Sequence, residues 1–351
     1  MRVGTKTLRV LAALAVLSTL FSTEWAATLS GAAAHSSLQN SRAQKSEPIS
    51  RDPFGTRADA ARAATPLPAP VRFRESDGLG LLVRTWVNGA GPYTFAIDTG
   101  AGANILSRRV ASEARVEVDA RGGSVNVGGL SGAGVRAAQR AYVRGFAAGT
   151  RANTLPAQGF TVISDGLPAD IDGVLDPSEV FGTLGYVIDF PAETLSAFDP
   201  RTSPLRASDV PEGGAVVRWL TEPGSQRPFV MLTEGGGRRP FVMLGEGRRA
   251  LLDTGSGFGL ALTDDAARAF GFVPAGGRDR EAAHDIAGGH IPARRVRPAT
   301  VHVGPLVLQN VPTDFLPRAE SGAPVLLGRD ALRPFRLTFD PVNRLIQFRP
   351  L

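Results

Sequence analysis

From Val71 onward the chain consists of short apolar runs separated by Gly, Pro, Asn and Asp. The segment LLVRTWVNGAGPYTFAID (81–98) predicts a strand, a turn at Asn88–Gly91 and a second strand that ends at Asp98. The segment RPFVMLGEGRRALLD (239–253) predicts a similar pair of strands, joined by a Gly-Glu-Gly turn and ending at Asp253. Helical periodicity is weak, and DDAARAF (264–270) is the best candidate for a short helix. This pattern predicts a mainly β protein.

The apolar pattern occurs twice. The segment AIDTGAGANILS (96–107) is restated as LLDTGSGFGLALT (251–263), so that Asp98 and Asp253 each begin an Asp-Thr-Gly. Three further pairs follow in the same order: the glycine-rich segments 126–134 and 285–293, the segments ADIDGVLD (169–176) and APVLLGRD (323–330), and the closing hairpins 186–198 and 335–348. Four matching features in one order predict a duplicated β unit with lobes at 71–205 and 213–351. A separate small repeat, RPFVML at 227–232 and at 239–244, indicates a tandem duplication and carries no chemistry.

The N-terminus differs from the rest in composition. Arg2, Lys6 and Arg9 precede an apolar run of about twelve residues, which is too short for a comfortable membrane span and typical of a secretory signal. We therefore expect a signal peptide at 1–34, with an uncleaved N-terminal anchor as the alternative, and a periplasmic or secreted protein. Residues 35–70 are rich in Ser, Ala, Arg and Pro, which predicts a disordered linker or a removable pro-segment.

Charge and cysteine content exclude several classes of partner and of chemistry. The formal net charge is +6, but the arginines are scattered and no aromatics interleave with them, so we expect a solvated basic surface and no nucleic-acid partner. The chain has no cysteine, which excludes disulfides, thiolate metal sites and cysteine nucleophiles. HDIAGGH (284–290) is not a recognised ligand spacing, and we expect no metal and no cofactor.

The two Asp-Thr-Gly turns carry the chemistry. Gly100 and Gly255 let the backbone turn tightly and offer an amide N–H to the carboxylate, while Thr99 and Thr254 can bond the backbone of either turn. If a pseudo-two-fold axis brings the aspartates together, two like charges about 3 Å apart cannot both ionise cheaply, so one pKa falls and the other rises. Such a pair can activate a water on one side and protonate a carbonyl oxygen on the other.

The doubled motifs AIDTGAG and LLDTGSG, each followed by an apolar element (IDGVLD, VLLGRD), resemble the pepsin/retropepsin superfamily of aspartic peptidases. The resemblance covers nearly everything after the linker. It implies an all-β fold with short helices, namely a bilobal acid-protease fold of two retropepsin-like lobes with the active site between them. It also implies an aspartic endopeptidase with Asp98 and Asp253 as the catalytic pair. The active-site support residues are then Thr99, Gly100, Ala101, Thr254, Gly255 and Ser256.

The two halves depart from each other at two places. Asp176 stands where the family pattern expects a glycine, which is present as Gly328 in the second half. Ala101 follows the first Asp-Thr-Gly, as in retropepsins, whereas Ser256 follows the second. Because a serine hydroxyl there can hydrogen-bond a carboxylate, we expect Asp253 to be the more readily ionised partner. No tyrosine lies in the first flap segment, and Tyr142 is expected in a later strand.

The glycine-rich segments predict two flap-like hairpins in one chain, with Gly128, Gly129, Gly288 and Gly289 as flap candidates for substrate binding. Two flaps suit an extended peptide substrate held by main-chain hydrogen bonds. We expect a monomer with an intramolecular dyad and no membrane span in the mature chain. The alternative function is a catalytically idle, peptide-binding protein of the same fold.

Overall fold

The computed structural model describes residues 66–119, 124–127, 136–220, 229–233, 249–269, 277–284, 290–317, 319 and 323–351. Residues Leu67–Leu351 belong to one compact unit. The predicted signal peptide (1–34) and residues 35–65 of the predicted linker lie outside the described residues, so these two assignments stay predictions. None of the helices in the described part of the chain is long and apolar enough to cross a membrane.

Short strands dominate the chain, as the pattern of apolar runs predicts. The strands of the first half are β1 (Val71–Arg72), β2 (Arg74–Ser76), β3 (Gly80–Val87), β4 (Ala90–Ile97), β5 (Asn104–Leu106), β6 (Glu117–Val118), β7 (Ser124–Val127), β8 (Arg136–Tyr142), β9 (Phe146–Ala148), β10 (Thr161–Ile163), β11 (Gly173–Leu175), β12 (Gly185–Asp189) and β13 (Thr194–Phe198). Those of the second half are β14 (Ala215–Arg218), β15 (Phe229–Thr233), β16 (Arg249–Asp253), β17 (Leu260–Thr263), β18 (Arg278–His284), β19 (His290–Arg295), β20 (Ala299–Val303), β21 (Leu306–Val311), β22 (Thr313–Leu316), β23 (Val325–Gly328), β24 (Phe335–Asp340) and β25 (Leu345–Pro350).

Four short helices lie between these strands in the described residues: α1 (Arg108–Glu113), α2 (Pro177–Phe181), α3 (Asp264–Ala269) and α4 (Arg329–Leu332). The helix predicted at 264–270 corresponds to α3. The turn predicted at Asn88–Gly91 is also present, because Asn88 and Gly89 both adopt positive φ angles (51° and 80°) between β3 and β4.

The two halves have the same strand topology. In the first half, β4 pairs in parallel with β11, which continues through β5 and β10 to β8. In the second half, β16 pairs in parallel with β23, which continues through β17 and β22 to β19. Each parallel or antiparallel pairing in one path has its counterpart in the other. The predicted duplication is therefore a duplication of structure, with β4 equivalent to β16 and β11 to β23.

A third sheet joins the halves. Within the described residues its order is β1-β13-β12-β24-β25-β14, so the two predicted closing hairpins lie side by side. Tyr186 on β12 stacks on Phe339 on β24, with ring centroids 4.6 Å apart. Both rings are fully buried in the largest core cluster, which extends into both lobes. The two lobes therefore share one hydrophobic core, which holds them together.

One predicted hairpin is wrong. We expected the second copy of RPFVML (239–244) to pair with the strand that ends at Asp253. In the structure β16 pairs with β15, which belongs to the first copy, with Phe229 opposite Leu251, and its other edge is taken by β23. The second copy lies outside the described residues. Because the two copies are identical, the sequence could not decide between them.

Candidate active site

Asp98 and Asp253 stand at equivalent ends of equivalent strands. Asp98 follows β4 directly, and its N–H donates to the carbonyl of Leu175 at 3.0 Å. Asp253 is the last residue of β16, in register with Gly328. Both side chains are completely buried. A carboxylate at the end of an apolar strand is therefore held by a parallel neighbour in each lobe.

Thr99 and Thr254 lock the two turns together. The hydroxyl of Thr99 donates to the carbonyl of Leu252 at 2.6 Å, and the hydroxyl of Thr254 donates to the carbonyl of Ile97 at 3.0 Å. Each hydroxyl oxygen also accepts the backbone N–H of the other threonine, at 3.1 and 3.3 Å. Thus each threonine binds the residue that precedes the opposite aspartate. The side chain of each threonine therefore bonds across the pseudo-two-fold axis to the backbone of the other turn, as the sequence allowed.

The glycine of the first turn lies against the second aspartate. The N–H of Gly100 donates to Asp98 Oδ1 at 2.7 Å. A Cβ atom on Gly100 would lie 2.8 Å from Cγ of Asp253, which is closer than real side chains allow. In the second turn the N–H of Ser256 donates to Asp253 Oδ1 at 2.9 Å. The turns therefore satisfy one oxygen of each carboxyl and bring the two carboxyls into contact.

The other carboxyl oxygens are unsatisfied. Oδ2 of Asp98 and Oδ2 of Asp253 are buried and accept no hydrogen bond from any residue in the described ranges. The two carboxyls nevertheless lie within hydrogen-bonding reach of each other. Two buried carboxylates without donors are costly, and a proton shared between them removes most of that cost.

The two acids differ in their pKa values. Burial, followed by the charge of Asp253, holds the pKa of Asp98 well above its usual range. Burial also raises the pKa of Asp253, but only to about 6, because Asp98, the N–H of Ser256 and the charge of Arg329 all favour its ionised form. When the pair holds a single proton, this arrangement favours the proton on Asp98 and the charge on Asp253.

The residues that pack behind the two aspartate turns differ between the halves. In the second half a Cβ on Gly328 would lie 2.5 Å from the carbonyl oxygen of Phe258 and 2.9 Å from that of Ser256, so only glycine fits. In the first half Ala101 has no hydroxyl, and Asp176 stands at the position equivalent to Gly328. Its carboxyl accepts the N–H of Gly102 at 2.8 Å and caps α2 through the N–H of Ser178. Asp176 therefore braces the first turn from outside, which explains the departure from glycine.

The Ser256 hydroxyl does not play the part that the sequence suggested. The bond from Ser256 to Asp253 comes from its backbone N–H, while the hydroxyl oxygen accepts the N–H of Phe258 at 3.3 Å. The expected order of acidity, with Asp253 the stronger acid, agrees with the pKa directions. Its causes differ from the predicted one, because the pKa of Asp253 is lowered most by Asp98, then by the backbone N–H of Ser256, and then by a positive charge behind the turn.

That charge belongs to Arg329, which the sequence reasoning missed. Arg329 is 2% exposed, and its Nη1 donates to the carbonyls of Thr254 and Gly255 at 2.8 and 2.7 Å. Its Nε donates to Glu75 on β2 at 3.1 Å. The signal available in the sequence was an arginine directly after the buried run VLLG. An arginine at that place needs several acceptors, and the second turn supplies two of them.

The four flap candidates, Gly128, Gly129, Gly288 and Gly289, lie outside the described residues. The strands on either side of them are described: β7 pairs with β8, and β18 pairs with β19, at equivalent places in the two lobes. Tyr142 ends β8, as expected, and its side chain is exposed. The other predicted support residue, Ala101, is fully buried beside the first turn. Over the described ranges no group of three or more potential ligands could hold a metal ion.

A comparison with protein families agrees with this geometry. A family model described as aspartyl protease matches residues 83–175 and again residues 241–331, and these two matches contain both aspartate turns. A comparison with curated proteins gave no match. Among solved structures the chain is similar to the aspartic proteinase from Irpex lacteus, with 13% identity and a TM-score of 0.48, over 80% of this chain and 97% of that chain. Because the family model matches both halves, and more than half of the chain in total, this chain belongs to the aspartyl protease family.

Proposed function

We propose that the protein is an aspartic endopeptidase that hydrolyses peptide bonds with Asp98 and Asp253 as its catalytic pair. The observation that carries the proposal is the reciprocal bonding of Thr99 and Thr254, which holds two buried carboxyls face to face. A fold that only binds peptides does not need two desolvated acids with unsatisfied oxygens, since these reduce the stability of the folded state.

Each carboxyl has a distinct role. Asp253, whose pKa is the lower of the two, takes a proton from a water molecule held between the carboxyls. The oxygen of that water attacks the peptide carbonyl carbon while Asp98, whose pKa is held high, gives its proton to the carbonyl oxygen. Collapse of the tetrahedral intermediate breaks the C–N bond. The leaving nitrogen takes up the proton that Asp253 had accepted, and the hydroxyl proton returns to Asp98, which restores the starting state.

We infer that the substrate is a peptide or protein in extended form. The hairpins β7–β8 and β18–β19 occupy equivalent places in the lobes and support the two-flap hypothesis, with the glycines at 128–129 and 288–289 over the substrate. The enzyme is proposed to act as a monomer, since one chain supplies both aspartates. The charged and apolar pattern at 1–34 supports export to the periplasm or exterior, with 35–70 as linker or pro-segment.

The proposal is tested by exposing a mixed peptide library to the wild-type protein, to Asp98→Asn and to Asp253→Asn, with and without a statine-type inhibitor. The expected result is cleavage by the wild type alone, blocked by the inhibitor. Cleavage that persists in both variants would overturn the assignment of the catalytic pair. Binding of library peptides by all three proteins without cleavage would instead establish the idle, peptide-binding alternative.

A further inference from the structure

We propose that Arg329 and Glu75 together set the acidity of Asp253, Arg329 being a positioning residue behind the second aspartate turn and Glu75 the group that attenuates its charge. This proposal rests on the proposed function, because it explains which of the two proposed catalytic aspartates ionises more readily. It adds a contact between the N-terminal edge of the first lobe and the catalytic turn of the second.

The geometry makes Arg329 part of the turn. It is the first residue of α4, and its Nη1 is shared between the carbonyls of the two residues that follow Asp253, Thr254 and Gly255. Its own N–H donates to the carbonyl of Ser256 at 2.9 Å. Three consecutive carbonyls of the turn are thus bound to one residue. The first lobe has no counterpart, because Pro177 occupies the equivalent position there.

Glu75 reaches this arginine from the other lobe. It lies on β2, 254 positions earlier in the chain, and accepts hydrogen bonds from Arg329 and from Arg333. Burial opposes its ionisation, but the hydrogen bonds and charges of these two arginines hold the pKa of Glu75 below its usual value. Burial lowers the pKa of Arg329, and Glu75 counteracts this effect. The pair is therefore ionised, with Glu75 keeping the guanidinium charged in a buried place.

The other charges around this site are few within the described residues. Asp253 faces Asp98 from the first turn and Arg329 from α4. Arg329 faces Glu75 and Asp253, and is repelled by Arg333, which directly follows α4. Arg333 in turn is bonded to Asp330 and lies near Asp77, and its side chain is 47% exposed. Among the arginines of the described residues, only Arg329 combines full burial with contact to the turn that carries Asp253.

The two partners have opposite effects on Asp253. Loss of the arginine charge raises the pKa of Asp253, because the ionised form loses a favourable neighbour. Loss of the glutamate charge lowers it, because the arginine field is no longer attenuated. A merely structural ion pair would weaken folding in both variants without shifts of opposite sign.

The test compares Arg329→Gln, Arg329→Lys, Glu75→Gln and the matched control Arg333→Gln, which removes the exposed partner of the same glutamate. Each protein is titrated by NMR of ¹³C-labelled aspartate carboxyls, with signals assigned from Asp98→Asn and Asp253→Asn, and the acid limb of kcat/KM is recorded. We expect the pKa of Asp253 to rise by at least about half a unit in Arg329→Gln and to fall in Glu75→Gln. We expect it to stay near the wild-type value in Arg329→Lys and Arg333→Gln.

Shifts of one sign in both Arg329→Gln and Glu75→Gln, or a shift in Arg333→Gln as large as that in Arg329→Gln, would overturn the inference. If Arg329→Gln does not fold, Glu75→Gln decides alone, because the half-buried side chain of Glu75 lies at the lobe surface and its replacement should leave the fold intact. An unchanged or raised pKa of Asp253 in Glu75→Gln then contradicts the inference. The NMR titration needs no turnover. An inactive wild type with the expected shifts would therefore refute the proposed function and leave the coupling intact.

Discussion

Thr99 and Thr254 each place a hydroxyl on the carbonyl that precedes the other lobe's aspartate. The two bonds are 2.6 and 3.0 Å long, and both threonines are completely buried. The carboxyls of Asp98 and Asp253 are consequently held close to each other by the backbone of the two turns.

Removal of either hydroxyl should therefore loosen the whole site. Thr99→Ala leaves the buried carbonyl of Leu252 and the N–H of Thr254 without a partner, and we predict a loss of about 2 kcal/mol in the free energy of unfolding. Peptide hydrolysis should fall as well, because the aspartates lose their fixed geometry. Chemical denaturation and kcat measurements on Thr99→Ala and Thr99→Ser check this. If Thr99→Ser, which keeps the hydroxyl, is as impaired as Thr99→Ala, the threonine lock is not the cause.

The pH–rate profile should be bell-shaped. In the proposed mechanism Asp253 is ionised and Asp98 is protonated, so kcat/KM should rise with pH as Asp253, whose pKa is about 6, loses its proton. It should fall again at the higher pH where Asp98 ionises. Ser256→Ala should leave the acid limb in place, because the bond to Asp253 comes from the backbone N–H. A shifted acid limb in Ser256→Ala would assign the asymmetry to the hydroxyl instead.

Burial of the pair should also make stability depend on pH. The pKa of Asp253 is raised on folding from 3.8 to about 6, so the folded state binds its proton more tightly than the unfolded state. This stability is fully present below about pH 4 and is lost as the pH rises through about 6. Asp253→Asn should therefore be more stable than the wild type near pH 7.5, by on the order of 2 kcal/mol. Urea denaturation at pH 4 and 7.5 tests this, and an equal difference at both pH values would contradict it.

Glycine at 328 should be required by sterics alone. A Cβ there would lie 2.5 Å from the carbonyl oxygen of Phe258, whereas a Cβ on Gly145 would meet nothing within 4 Å. Neither glycine has a positive φ, so neither needs the left-handed backbone conformation that favours glycine, and the surroundings of the two differ. Gly328→Ala should lose about 1–3 kcal/mol of stability and most activity, while Gly145→Ala should stay within about 0.5 kcal/mol. Thermal unfolding of both variants decides, and equal stability would refute the steric account.

Much of this architecture could be predicted from the sequence because the same motifs occur in both halves of the chain. The doubled Asp-Thr-Gly turns, each after an apolar strand, specified the equivalence of β4 and β16 and hence the meeting of Asp98 and Asp253. The identical copies of RPFVML were ambiguous for the opposite reason, since two equal segments compete for one place beside β16.

The difference in acidity between Asp98 and Asp253 could not be predicted in the same way. Part of its proposed cause lies in Arg329 and Glu75, which contact each other across 254 positions of sequence. No local pattern reports a contact of that range. The exchange of Ala101 and Asp176 for Ser256 and Gly328 was visible as a difference between the halves, but only the structure shows that Asp176 binds the turn beside Ala101.

The most direct test of the central claim is the rate at which Asp98→Asn and Asp253→Asn hydrolyse one peptide that the wild type cleaves, measured at the wild-type optimum pH. Asparagine fills the same space but can neither accept the proton of the attacking water nor supply the proton of a carboxylic acid. With both variants shown to be folded by thermal unfolding, we predict that each loses about 10²-fold or more in kcat/KM. Wild-type rates in either folded variant would contradict the account.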